Sequence, residues 1–266
     1  MHISMYSGER ILPEKIFNVT YQQSLKAYEY AATYAAGKTV LDVASGEGYG
    51  THLLGKTAAK AVGLDLHRGA VEDAQKNYGN TNVVFHQGDL LNAPAVLKGE
   101  QFDVVCCFQT IEHVEDHDAF LASLAAVARP GGIILVSTPN KKVFPSFNPY
   151  HVHELDYNEI HNLFARNFQE SKIYGVFGDE AVMRYRESKQ KVSDAILRID
   201  FLQARNWLPR KLLLAIYAFV SYFLIKKISF LKHAKEITHI TTDNFAVREN
   251  YAKDSLDFIA VAWKKA

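Results

Sequence analysis

At 266 residues with 48% hydrophobic side chains, the chain is long enough to bury a full core and reads as one domain carrying an insertion. Its net charge of +1 excludes the basic footprint of a nucleic-acid binder, so no nucleic-acid partner is expected. The only cysteines, Cys106 and Cys107, are neighbours in an apolar run where a mutual disulfide is geometrically disfavoured; with an N-terminus lacking the basic-then-apolar profile of a signal peptide, this leads us to expect a cytoplasmic protein.

In chain order, the first clear strand covers 39–43 and runs into V-L-D-V-A-S-G-E-G-Y-G over 40–50. Gly46, Gly48 and Gly50 allow a sharp strand-to-helix turn and are expected to leave the backbone open to a ligand. A pyrophosphate prefers a helix N-terminus without competing carboxylates, whereas Asp42 precedes this turn and Glu47 lies inside it. A cationic ligand suits the loop better. A helix over 49–57 follows, then an apolar strand over 61–66 ending in Asp65, where a carboxylate can chelate a ribose diol. Val71, Ala74 and Tyr78 mark one face of the next helix.

A strand over 82–86, a short segment to Lys98 and a strand over 102–108 come next. Phe120, Leu124 and Val127 then repeat at helical spacing within 117–128. The run over 133–137 is almost continuously apolar, as expected of a strand covered on both faces. Asp156 and Glu159 form a capping box before a helix bearing Ile160, Leu163 and Phe164. Strands alternating with helices imply a parallel sheet with ligands at the carboxyl ends of its strands.

Five segments in order resemble the motifs of class I S-adenosylmethionine (SAM) dependent methyltransferases. Asp42 to Gly48 resembles the D-x-x-x-G-x-G loop around the methionine part of SAM, and Asp65 the acidic ribose ligand. His86-Gln87-Gly88-Asp89-Leu90 resembles the third-strand segment whose Asp meets the adenine amino group, 102–108 the fourth strand, and Arg129-Pro130-Gly131-Gly132 the turn before the fifth. The resemblance implies an α/β, Rossmann-like, doubly wound fold: a mostly parallel seven-stranded sheet with an antiparallel edge, formed by strands over 169–177 and 257–263, and a helical insertion before the last strand. It implies SAM as cofactor, held by Tyr28, Asp42, Ala44, Gly46, Gly48, Asp65, Leu66, Asp89, Leu90 and Gln109. Within the superfamily, Ser7-Gly8-Glu9-Arg10 with Pro13-Glu14, Ser137-Thr138-Pro139-Asn140 and Asn148-Pro149-Tyr150-His151-Val152-His153-Glu154 resemble a bacterial group often encoded with surface-polysaccharide enzymes. That group commonly carries a His and an Arg ahead of the first-helix tyrosine, where this chain has Ser24-Leu25-Lys26-Ala27-Tyr28.

The sulfonium methyl of SAM is already activated, so an enzyme must align a nucleophile and, for a hydroxyl, remove its proton. The loops after the fourth and fifth strands concentrate imidazoles beside carboxylates. Glu112, His113 and His151 are the candidate catalytic residues, with either histidine as base. His117, Asn148, Tyr150, His153 and Glu154 are candidate acceptor ligands. A histidine that merely packs in its loop is the competing reading for each imidazole. His151-x-His153-Glu154 also has the spacing of a three-ligand metal site, but the pattern is short and no metal is assigned. The reading is O-methylation of a sugar hydroxyl in a surface-polysaccharide precursor; the alternatives are a lipid, quinone or other apolar acceptor, and a non-catalytic SAM-binding protein.

The domain expectation is an N-terminal segment and helix over 1–37 covering the cofactor site, a SAM-binding core over 38–178, an insertion over 179–250 and a last core strand in 251–266. In the insertion, 180–193 is charged and reads as solvated. The apolar stretch 212–225, flanked by Arg210-Lys211 and Lys226-Lys227, is shorter than the ~20 residues that span a bilayer. It reads as a lid or buried helix, a homodimer interface, or an interfacial helix giving peripheral membrane contact through 210–232 at the inner face of the membrane.

Overall fold

The computed structural model describes residues 18–143, 151–199 and 239–265. The motifs at 7–14, Asn148, Tyr150 and the apolar stretch 212–225 lie outside the described residues.

The core is an eight-stranded sheet ordered β3-β2-β1-β4-β5-β8-β6-β7. Strands β1 (Thr39–Val43), β2 (Lys60–Asp65), β3 (Val83–Gln87), β4 (Phe102–Phe108) and β5 (Ala128–Pro139) pair in parallel. β8 (Asp257–Trp263) runs antiparallel to β5 and to β6 (Glu170–Gly178), and β7 (Phe245–Arg248) closes the edge antiparallel to β6. The mostly parallel sheet with an antiparallel edge is therefore present, with one strand more than expected. At four residues, β7 is too short to display a period.

Alternation along the strands separates two cores. Leu41, Val43, Val105, Cys107, Ile134 and Val136 face one side, where Phe120 and Leu124 of α5 (His117–Val127) and Ile160 and Phe164 of α6 (Tyr157–Asn167) cover them. Val40, Ala61, Val104, Cys106 and Leu135 face the other, against Ala27, Tyr28 and Ala31 of α1 (Asn18–Ala35), Leu54 of α2 (Tyr49–Gly55) and Ala74 of α3 (Arg68–Tyr78). Burial on both faces explains why these strands read as unbroken apolar runs. The short α4 (Ala93–Val96) follows β3, and the Asp156–Glu159 capping box opens α6 as expected. Arg129 to Gly132 fall where the β4–β5 register shifts; Gly131 has φ +72°, so the turn expected there is an irregularity inside β5.

One expectation is overturned. The charged stretch after β6 forms the helix α7 (Glu180–Ile199), in keeping with a helical insertion, but its first turns are not simply solvated. Asp179 accepts a hydrogen bond from the Val182 amide at its start, Val182 is buried, and Met183 and Tyr185 pack on the α1-side core. Val182 and Tyr185 lie three residues apart among charges, so mean composition conceals one packed face at the start of the helix.

Candidate functional site

The parallel strands end together, and their loops build the site. After β1 the chain reverses through Ala44, Gly46 and Gly48, all at positive φ, with the Ser45 amide bonded to the Leu64 carbonyl. The three glycines differ in purpose. A Cβ on Gly48 would sit 2.6 Å from the Ala74 Cβ and 2.8 Å from the Phe85 ring, and one on Gly50 would overlap the Tyr28 ring. These two admit protein, not ligand. Only Gly46 of the three has open space around it.

Asp42 is fully buried and accepts hydrogen bonds from Tyr28 Oη (3.1 and 3.3 Å) and Thr51 Oγ1 (2.7 Å), so it ties α1 and α2 to β1. Burial pushes its carboxyl up to about 7, against the lowering effect of these donors. Asp65 accepts from the Gly46 amide and the His67 amide, each at 2.8 Å, and thereby clamps the glycine loop to the end of β2. Two bonds leave lone pairs on both of its oxygens.

A cavity of about 400 Å³ opens beside this loop. Of the residues expected at the cofactor, Ala44, Leu66, Asp89 and Leu90 line it. Asp65, Asp42, Tyr28, Gly46, Gly48 and Gln109 are not among its walls, although Leu64 and Leu66 on either side of Asp65 are. Gln109, at φ +52°, directs Nε2 to Asp257 Oδ2 at 3.1 Å, towards the antiparallel edge. Asp89 Oδ1 accepts from the Leu91 amide at 3.0 Å, capping the turn at the cavity rim. The walls outside the expected cofactor set include Thr110, Val114, Asp116 and Phe120, contributed by the β4–α5 connection; Phe120 read only as a core position of the helix. Exposed Leu66 and Leu91 at the rim are suited to cover a flat apolar ring. The size, the apolar walls and the Asp89 carboxylate at the rim, with Asp65 placed between the wall residues Leu64 and Leu66, fit SAM.

Thr110 and Val114 flank the single 3₁₀ turn Ile111–His113, which carries Glu112 and His113. Glu112 is 1% exposed; burial pushes its carboxyl up to about 7, although Thr138 Oγ1 donates to its Oε2 at 3.1 Å. The Glu112 carbonyl accepts from the amides of Val152 (2.8 Å) and His153 (3.2 Å), which docks the 151–154 loop on the turn. His151 meets His113 edge-on at 5.0 Å between ring centroids, and its Nδ1 lies 2.5 Å from Glu154 Oε1. The expected catalytic trio, Glu112, His113 and His151, therefore converges, with Glu154 behind it. His153 instead pairs with His117 (5.5 Å) and approaches Glu159 (3.4 Å), so the grouping of His151, His153 and Glu154 is divided between two clusters. Burial and the neighbouring His153 lower the His117 imidazole. Asn140 is structural, donating to the carbonyls of Lys253 and Ser255.

Residues 35–191 match a family described as a methyltransferase domain. The chain is 34% identical over 178 residues to a probable SAM-dependent methyltransferase of Mycolicibacterium smegmatis, covering 64% of this chain and 68% of that protein. It is 28% identical over 270 residues to a probable SAM-dependent methyltransferase of Mycobacterium tuberculosis, covering 96% and 88%. A SAM-dependent methyltransferase from Thermotoga maritima shares the fold with a TM-score of 0.57 at 15% identity, over 94% of this chain and 92% of the other. With the glycine loop, the strand-end carboxylates and the cavity between them, these matches show that the chain belongs to the class I SAM-dependent methyltransferases.

Proposed function

We propose that the enzyme transfers the methyl group of SAM to a hydroxyl of a sugar in a surface-polysaccharide precursor. Bound SAM supplies an electrophilic methyl; the protein must hold the acceptor in line and remove its proton. The observation that carries an oxygen acceptor is the convergence of buried Glu112 with His113 and His151 next to the cavity wall, since a hydroxyl needs a proton acceptor at its oxygen. In this reading Asp65 takes the ribose hydroxyls, Asp89 and Leu90 the adenine, and His117, His153 and Glu154 contact the acceptor. The sugar assignment is supported by the motifs at 137–140 and 148–154, which resemble those of the polysaccharide-associated group.

Two measurements test the reading. Glycans from wild-type and deletion strains should differ by about 14 Da per methyl in mass spectrometry. His113→Ala or His151→Ala should lower kcat by about 10² to 10⁴ with little change in SAM affinity. Identical glycan masses would refute the sugar acceptor, and near-normal kcat in both variants would refute proton removal at this cluster.

A further inference from the structure

We infer that Glu112, His113 and His151 form a binding site for one zinc-class divalent cation. One ligand atom from each lies within 4.8 Å of the other two. Bond lengths near 2.1 Å around a tetrahedral ion place donors about 3.4 Å apart, so closing the site requires about 1 Å of side-chain movement. The three groups come from two segments that are already locked together. Glu112 and His113 share one 3₁₀ turn, and His151 is carried by the loop whose next two amides donate to the Glu112 carbonyl.

The surroundings match those of a ligated metal. Glu154 Oε1 lies 2.5 Å from His151 Nδ1, which fixes the ring and leaves Nε2 as the nitrogen available to a cation; carboxylate–imidazole–metal relays are built this way. Thr138 Oγ1 donates to Glu112 Oε2 at 3.1 Å and orients that carboxylate in the same sense. A carboxylate 1% exposed is costly to ionise without a positive partner, and a cation supplies one. Two imidazoles and one carboxylate leave coordination positions open, and this donor set favours zinc or cobalt over magnesium or calcium, which seek oxygen. Methyl transfer needs no redox change, so a redox-inert ion suffices. At an open position the ion would orient an acceptor hydroxyl and lower its pKa so that its proton passes to solvent, the two imidazoles then serving as ligands in place of bases; this role rests on the oxygen-acceptor reading above.

The test uses the full chain, stripped by chelation and titrated with Co²⁺, then with competing Zn²⁺. A visible cobalt absorption should saturate at one equivalent per chain and vanish on Zn²⁺ addition. His113→Ala and His151→Ala, checked for folding by circular dichroism, should each lose at least about 100-fold in affinity. Glu154→Gln should weaken binding by about 10- to 100-fold, whereas His161→Ala, on an exposed face of α6, should bind as wild type. Absence of saturable stoichiometric binding, or wild-type affinity in both folded histidine variants, would overturn the inference. Binding is read without turnover, so the two proposals separate: no cobalt binding with inactive histidine variants defeats the metal and leaves the proton-acceptor role, while tight cobalt binding with chelator-indifferent turnover establishes the site and defeats its part in the reaction.

Discussion

Asp65 shows how one carboxylate serves both loop and ligand. Its two bonds to the Gly46 and His67 amides set the shape of the glycine loop before any ligand arrives, and its remaining lone pairs are those available to ribose hydroxyls. Asp65→Ala should therefore weaken SAM binding by about 1 to 3 kcal/mol in calorimetric titration and also lower the melting temperature, because two loop amides lose their acceptor. Undiminished SAM affinity in the folded variant would remove Asp65 from the ribose site. The type of residue needed at this position was legible from its place at the end of an apolar strand. Its clamping of the loop was not, since the partner amides lie 19 residues away and two residues on.

At the scale of elements, α7 separates composition from pattern. Its charges read as a solvated segment, yet Val182, Met183 and Tyr185 join the core beneath α1, and Arg186 Nη2 donates to Gln23 of α1. Val182→Asp should thus cost about 3 kcal/mol or more in denaturant unfolding, since it places a charge without a partner in an apolar site. A solvated segment would tolerate it within about 0.5 kcal/mol, and that outcome would detach α7 from the core. Gly178, at the end of β6, belongs to the same contact: a Cβ there would lie 2.4 Å from Val182 Cγ1.

For the whole molecule, buried carboxylates set the pH dependence of stability. Asp42, raised from 3.8 to about 7, ionises in the unfolded chain well before it does so in the folded one. Its contribution is therefore fully present below about pH 4 and is lost as pH rises towards about 7, amounting to up to about 4 kcal/mol at 1.4 kcal/mol per pH unit. Burial also raises Glu112, from 4.5 to about 7, and Asp257, and both act in the same direction. Asp118 and Asp156 are lowered by hydrogen bonds and ion pairs and act oppositely, losing their contribution only in acid. Urea unfolding of the ligand-free protein should accordingly show stability declining from about pH 4.5 to 7, and Asp42→Asn should make that slope shallower, leaving the part due to Glu112 and Asp257. A wild-type curve that rises over this range would contradict the raised carboxyl of buried Asp42.

The sequence by itself determined the alternation of strands and helices, the glycine turn and the carboxylates closing the strands, because each depends on local pattern, while the cofactor and the cavity residues Ala44, Leu66, Asp89 and Leu90 followed from the resemblance of those motifs to a known family. It also picked out Glu112, His113 and His151 by residue type. Only the tertiary structure decided which groups meet. Packing of α1 on β1 turned Asp42 and Tyr28 towards each other, crowding by Ala74, Phe85 and Tyr28 accounts for two of the three glycines, and Gln109 was drawn to Asp257, 148 residues away. The division of His151 and His153 between two clusters likewise follows from the docking of their loop on Glu112, a contact between segments about 40 residues apart that no periodicity within either segment records.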